Sequence, residues 1–281
     1  MGLEKKIADL SSAYSNVADS AAAERLNMLF DEGSFVQLDS LAGSTGIVTG
    51  FGTIDGVCAY AFAQNSECEG GSVSSILTTK LTKLYDMAVA TGYPVIGIYD
   101  SDGAKLKEGN MLFNFYGELL TRTSRLSGVV PQISLVLGTC VGVSALAASA
   151  ADIVIAASGV SFGIETDGSN CTVADSAKLG NVHVVAENDA DAIAKCKELL
   201  SLLPSNNLES VPLFGYDEQD GSGALESCMQ LIGTNERVAR SIIGATADNG
   251  SFIELLKDFG TTVITGFATI CGVSTGIVAN R

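Results

Sequence analysis

Asp31-Glu32-Gly33-Ser34-Phe35-Val36-Gln37-Leu38 returns as Asp248-Asn249-Gly250-Ser251-Phe252-Ile253-Glu254-Leu255, at an offset of 217 residues. Ile47-Val48-Thr49-Gly50-Phe51-Gly52-Thr53-Ile54-Asp55-Gly56-Val57 returns as Val263-Ile264-Thr265-Gly266-Phe267-Ala268-Thr269-Ile270-Cys271-Gly272-Val273, at an offset of 216. Order and spacing are both kept. Chance resemblance of two glycine-bounded strands could produce one block, hardly both in sequence. So long a period means two domains of similar fold rather than a solenoid, whose units are shorter. The second copy reaches Arg281 soon after its opening strands, whereas the first runs on for roughly 150 residues, the size of a domain. The expectation is one complete unit and the beginning of another.

Outward from these blocks, helical and strand-like patterns alternate. Leu3, Ile7, Leu10, Tyr14 and Val17 recur at helical spacing within 3–29. Two strand-like runs over 46–64 are split by Ile54-Asp55-Gly56, a hairpin signal. A helix is expected over 72–91, stopped by Gly92, and Tyr93-Pro94 then introduces the buried strand Val95-Ile96-Gly97-Ile98-Tyr99. Next come a helix over 108–126, a strand over 132–137, a turn, a helix over 143–151 and a strand over 152–156. A last helix over 190–203 is capped by Asn188 or Asp189 and ended by Pro204. Such alternation predicts an α/β fold with parallel crossovers and helices outside the sheet.

Composition narrows the function. The 281 residues are 47% hydrophobic and 17% charged, with a formal net charge of −16 and an isoelectric point near 4.3. That surface repels phosphate backbones and anionic headgroups, so no nucleic acid and no membrane surface are expected as partners. Leu126–Ala151 carries no charge, but Pro131, Gly138 and Gly142 interrupt it, and a buried strand, turn and helix fit it better than a membrane span. Seven cysteines stand singly and His183 is the only histidine, so no metal site is expected. An odd cysteine count without a signal peptide reads as reduced cytoplasmic thiols.

Two strand-to-helix turns can carry chemistry: Asp100-Ser101-Asp102-Gly103-Ala104 and Gly138-Thr139-Cys140-Val141-Gly142-Val143-Ser144. Side by side, such turns aim unpaired N–H groups at one point, which suits an oxygen gaining negative charge. Glycines at these places can equally just make the turn.

At this point a resemblance becomes specific. DEGSF, GIVTGFGTIDG, AQN…GGS, PVIGIYDSDGAKLKEG, SGVVPQISLVLGTCVG and LLPSNN resemble, in order, the carboxyltransferase subunit of biotin-dependent acyl-CoA carboxylases and decarboxylases. The resemblance implies a crotonase-like fold of repeated ββα units wound as a superhelix. It sets residues 1–215 as the first domain and 216–281 as linker and opening strands of a second. It implies transfer of a carboxyl group between carboxybiotin and an acyl-CoA, with biotin on a separate carrier protein and no metal. By motif position, Gly103 and Ala104 match the family's S-G-G-A-R turn, and Gly142 and Val143 match its A-G-G-A turn. These four would supply oxyanion N–H groups. Gly70, Gly71 and Ser72 match a G-G-S near the coenzyme A site, and Lys80 falls at a basic family position. Partners implied are the acyl-CoA, the biotin carboxyl carrier protein, and further subunits in a homo-oligomer or a hetero-oligomer that supplies the rest of the second domain.

Departures from the family pattern bear on turnover more than on fold. Asp102 replaces the first glycine of S-G-G-A-R, Lys105 its arginine, and Val141 and Val143 replace residues of A-G-G-A. A non-catalytic scaffold subunit and another crotonase-type reaction are therefore the alternatives. Hydration or isomerisation would need a positioned carboxylate, for which Asp102 and Glu165 are the candidates. A Clp-type serine peptidase would put its nucleophile near Gly142, but no histidine follows at the required place.

Overall fold

A computed structural model describes residues 20–40, 46–103, 107, 109–164, 172–216, 224–232, 239–248 and 250–281. Helix α1 spans Ala21–Leu29, and three antiparallel strands follow: β1 (Val36–Leu38), β2 (Ile47–Ile54) and β3 (Val57–Gln64). Strand β4 (Val95–Ser101), β5 (Gln132–Val141), β6 (Ile153–Ala157) and β8 (Val184–Ala186) then add in parallel to β3, giving the order β1-β2-β3-β4-β5-β6-β8. The short β7 (Phe162–Gly163) pairs with the far end of β5. Helices α2 (Ser75–Thr91), α3 (Met111–Leu126), α4 (Val143–Ser149) and α5 (Val173–Lys178) make the crossovers, and α6 (Asp189–Ser201) follows β8.

One core lies between the sheet and α2 to α5, a second between the sheet and α1 with α6. Strands buried on both faces therefore read as unbroken apolar runs, which is why 95–99 and 132–137 were legible. Caps set the helix limits. The Ser74 hydroxyl accepts the Leu77 N–H at 3.3 Å, and Gly92 closes α2 at φ 72°. Asn188, rather than Asp189, caps α6 by accepting the Asp191 N–H at 3.0 Å.

Two expectations are corrected. Gly138, Thr139 and Cys140 lie in β5, not in a turn, because β7 gives Cys140 and Val141 strand partners and extends the ladder. Asp100 and Ser101 likewise finish β4, Ser101 standing opposite Cys140. The helical pattern over 3–29 is described only from Ser20 onward, where α1 matches it; residues 3–19 lie outside the described residues. No helix among the described residues is long and apolar enough to cross a membrane.

The repeat is reproduced bond by bond. The Asp31 carboxylate accepts the Thr53 hydroxyl at 2.6 Å and the Asp55 and Gly56 N–H groups, each at 3.0 Å. The Asp248 carboxylate accepts the Cys271 and Gly272 N–H groups at 2.9 and 2.8 Å. Ser34 Oγ accepts the Thr53 N–H and Ser251 Oγ accepts the Thr269 N–H, both at 3.1 Å. Each hairpin turns through two left-handed residues, Asp55-Gly56 and Cys271-Gly272. The second copy builds α8 (Ala239–Thr246), β9 (Ile253–Leu255), β10 (Val263–Ile270) and β11 (Val273–Asn280), after a helix α7 (Ala224–Leu231). Ile253, Leu255 and Phe267 pack on the core that α1 and α6 cover.

Two predictions follow from this frame. A side chain on Gly56 would meet nothing, whereas one on Gly272 would strike the Phe214 carbonyl. Gly56→Ala should thus cost only the left-handed backbone penalty, about 1 kcal/mol, and Gly272→Ala distinctly more; equal denaturation midpoints would refute the clash. His183 Nδ1 accepts the Val154 N–H at 3.0 Å, and burial lowers the histidine pKa although Asp152 opposes the shift. A depressed folded pKa means the unfolded chain protonates first, so stability is kept above the free-histidine range and lost as pH falls through it. His183→Asn, which retains an acceptor, should flatten the loss seen by chemical denaturation between pH 7.5 and 5, with Asp152 common to both proteins.

Candidate functional site

Because β4 and β5 are parallel neighbours, in register from Val95↔Gln132 to Tyr99↔Val136 and paired again at Ser101↔Cys140 after a register shift, their carboxyl ends emerge side by side. The two turns that follow are adjacent: a methyl built on Gly103 would lie 3.9 Å from the Val141 carbonyl oxygen. Gly103 sits at φ 106° and Gly142 at φ 64°, ψ −129°, backbone shapes that a side chain would strain.

The fate of each amide decides what the turns can do. Gly103 N–H donates to the buried Ser101 hydroxyl at 3.1 Å, and its carbonyl accepts the Val73 N–H at 3.0 Å. Gly142 N–H donates to the Gly163 carbonyl at 2.9 Å. Both amides are therefore engaged in holding the turns. Val143 opens α4, so its N–H has no partner within the helix, and it finds no acceptor among the described residues. Of the four sequence candidates, Val143 alone is seen with a free donor; Ala104 lies outside the described residues. The Val143 side chain is 42% exposed and stands outside the core.

Gly70 and Gly71 approach the same place. With Glu69 they form three consecutive left-handed residues, at φ 52°, 65° and 61°. The Gly70 carbonyl accepts the Asp102 N–H at 2.8 Å, and a side chain on Gly71 would run into the Asp100 carbonyl. Asp102 leans over Gly70: a methyl there would meet its Oδ2 at 2.5 Å. The acid thus covers the glycine turn at 69–71. Ser72 spends its hydroxyl on the Glu69 carbonyl at 2.7 Å. Lys80 is buried on α2, 5% exposed, and burial lowers its pKa against the opposing charge of Asp39. The expectation that Lys80 falls at a basic family position did not anticipate that burial.

Arg25, Gln64 and Ser66 were not singled out by sequence, and Asp100 and Gly138 only as the opening residues of the two turns. Arg25, 13% exposed in its side chain, donates Nη1 to Asp100 Oδ2 at 2.8 Å, Nη2 to the Leu137 carbonyl at 2.7 Å and Nε to Asp189 Oδ2 at 2.9 Å. Asp100 also accepts the Ser66 hydroxyl at 3.0 Å, and its N–H donates to Gln64 Oε1 at 3.3 Å. Gly138 faces this carboxylate, which occupies the space a β-carbon would need. One signal was available: the repeat sets Arg25 against Ile242, a charge where the other copy is apolar.

The titratable groups behind the turns are silent near neutrality. Burial pushes the Tyr85, Tyr99 and Tyr116 hydroxyls and the Cys140 thiol upward, and Cys196 up to about 12. His183 is bound to β6, and Glu165 lies outside the described residues. Among the described residues the turns present the Val143 main-chain N–H, suited to an oxygen that gains charge.

A family described as carboxyl transferase domain matches residues 18–281. The chain is 35% identical to the propionyl-CoA carboxylase beta chain of Saccharopolyspora erythraea over 92% of its length and 55% of that protein. It is also 35% identical to methylmalonyl-CoA decarboxylase subunit alpha of Veillonella parvula, over 92% and 57% respectively. A transcarboxylase 12S crystal structure, a hexamer with hydrolysed methylmalonyl-coenzyme A bound, superposes with a TM-score of 0.90 at 27% identity, covering 100% of this chain and 64% of that one. The chain thus spans about half the length of the curated relatives it matches.

Gly138→Ala tests the packing that sets the turns. Its methyl must displace the Asp100 carboxylate, so a loss of about 1–3 kcal/mol, the usual range for overpacking, is expected in urea denaturation. A neutral result would show that Asp100 moves freely.

Proposed function

This chain belongs to the carboxyl transferase domain family, and on that premise we propose that it is a carboxyltransferase component acting on an acyl-CoA. The observation that carries the proposal is the Val143 N–H, without an acceptor among the described residues, beside the Gly103 turn at the paired ends of β4 and β5. There Val143 and Ala104 would hold the thioester oxygen as the α-carbon loses its proton and negative charge gathers on that oxygen. Gly103 and Gly142 hold the two turns rather than donate. Gly70, Gly71 and Ser72 shape the adjoining wall, where the coenzyme A arm would lie, and Lys80 would act there only through packing or long-range charge.

Biotin on a partner carrier protein would supply the carboxyl group and take up the proton. That division of labour asks no side-chain base of the site, because the proton acceptor then arrives with the partner. The reading further takes 1–215 as the first domain and 216–281 as linker and start of a second. The reading also makes the protein part of a cytoplasmic oligomer.

One observation favours a second reading, a non-catalytic subunit of the same family: an acid, Asp102, stands at the turn that should stabilise an anion. Calorimetry with a series of acyl-CoAs, with and without a co-purifying chain, separates the two. Saturable binding supports the first reading, and no binding in either condition supports the scaffold.

Val143→Pro removes one N–H at the first helical position, where proline is tolerated. Carboxyl transfer should fall by about 100-fold or more, as for loss of an oxyanion donor, with acyl-CoA affinity and melting temperature little changed. Retained turnover would remove Val143 from the mechanism.

A further inference from the structure

We infer that Arg25 is a positioning residue that sets the spacing of the two amide-bearing turns, an inference that rests on the proposed acyl-CoA reading. Its guanidinium bonds the end of β4 through Asp100 and the middle of β5 through the Leu137 carbonyl, so one planar group ties together the two strands from which the turns emerge. The third bond, to Asp189 at the first turn of α6, fixes the guanidinium from the other side. Arg25 and Asp100 are each only 13% exposed, which keeps water from loosening the pair. Lysine cannot reproduce the fork, since its single ammonium lacks the rigid donor geometry that reaches three acceptors at once.

The repeat separates this role from folding. Residues that build the opening of each unit recur in both copies: Asp31 with Asp248, Ser34 with Ser251, Thr53 with Thr269, and the buried Leu26 with Ile243. Arg25 has no such counterpart, for Ile242 holds its place, and α8 is nonetheless a helix followed by the same hairpin. Helix, clamp and hairpin therefore do not need an arginine. Its partners lie only in the first unit, at the base of the turns, where Gly138 leaves room for the carboxylate it grips. A residue dispensable to the shared architecture but bonded to both strands beneath the site is placed to tune the site.

The test uses the full 281-residue chain and three probes: propionyl-CoA, S-propyl-CoA, which is the thioether lacking the carbonyl oxygen, and coenzyme A itself. The wild-type chain should bind the thioester about tenfold more tightly than the thioether. In Arg25→Lys and Asp100→Asn that ratio should collapse toward one while thioether and coenzyme A affinities stay within twofold. A ratio preserved in either folded variant overturns the inference, as does a parallel loss of affinity for all three probes that tracks melting temperature, the mark of a merely structural role. A wild-type chain that binds coenzyme A compounds without preferring the thioester also overturns it. Failure of the wild type to bind any of the three sinks the acyl-CoA reading, and the inference falls with it. Should Asp100→Asn fail to fold, Asp189→Asn with Arg25→Lys supplies the same comparison.

Discussion

Parallel pairing of β4 with β5 is the constraint from which the site descends. Two strands that run the same way, paired from Val95↔Gln132 to Tyr99↔Val136 and again at Ser101↔Cys140, must release the chain at the same edge. Each then turns outward into helical structure, and amides that are far apart in sequence come to share one spot. The apolar runs that form these strands are thus as much a part of the site as the turns, since burial on both faces is what makes the pairing strong.

Much of this was legible in the chain. The two repeated blocks predicted paired hairpins, and the carboxylates of Asp31 and Asp248 satisfy the same turn amides in each. Apolar runs, cap residues and Gly92 located the helices and strands because each follows from local chemistry. Long-range partners were not legible. That Gly103 and Gly142 spend their amides on Ser101 and Gly163 depends on a hydroxyl two residues back and on a two-residue strand 21 positions on. Arg25 was passed over for the same reason: its partners are 75, 112 and 164 residues away.

The departures from the family pattern look different against the packing. Asp102 turns over Gly70 rather than standing free among the donors, and Val143 carries its side chain outside the core. Neither residue alters the backbone path of the turn it occupies, because the left-handed positions fall to Gly103 and Gly142. Valine at a helix start costs the site nothing in donors; what it changes is the shape of the mouth. The two glycines therefore set the main chain of the turns, while Asp102 and Val143 shape the surface around them.

Strand β7 contributes only two residues, yet it carries β5 to within one residue of its turn. Gly142 is then the only joint between a rigid ladder and a helix. A donor mounted this way has its orientation settled before any ligand arrives. On the proposed reading, the ordering entropy of association would fall on the visitor's flexible arm, and a ligand that comes already stiffened would gain the most.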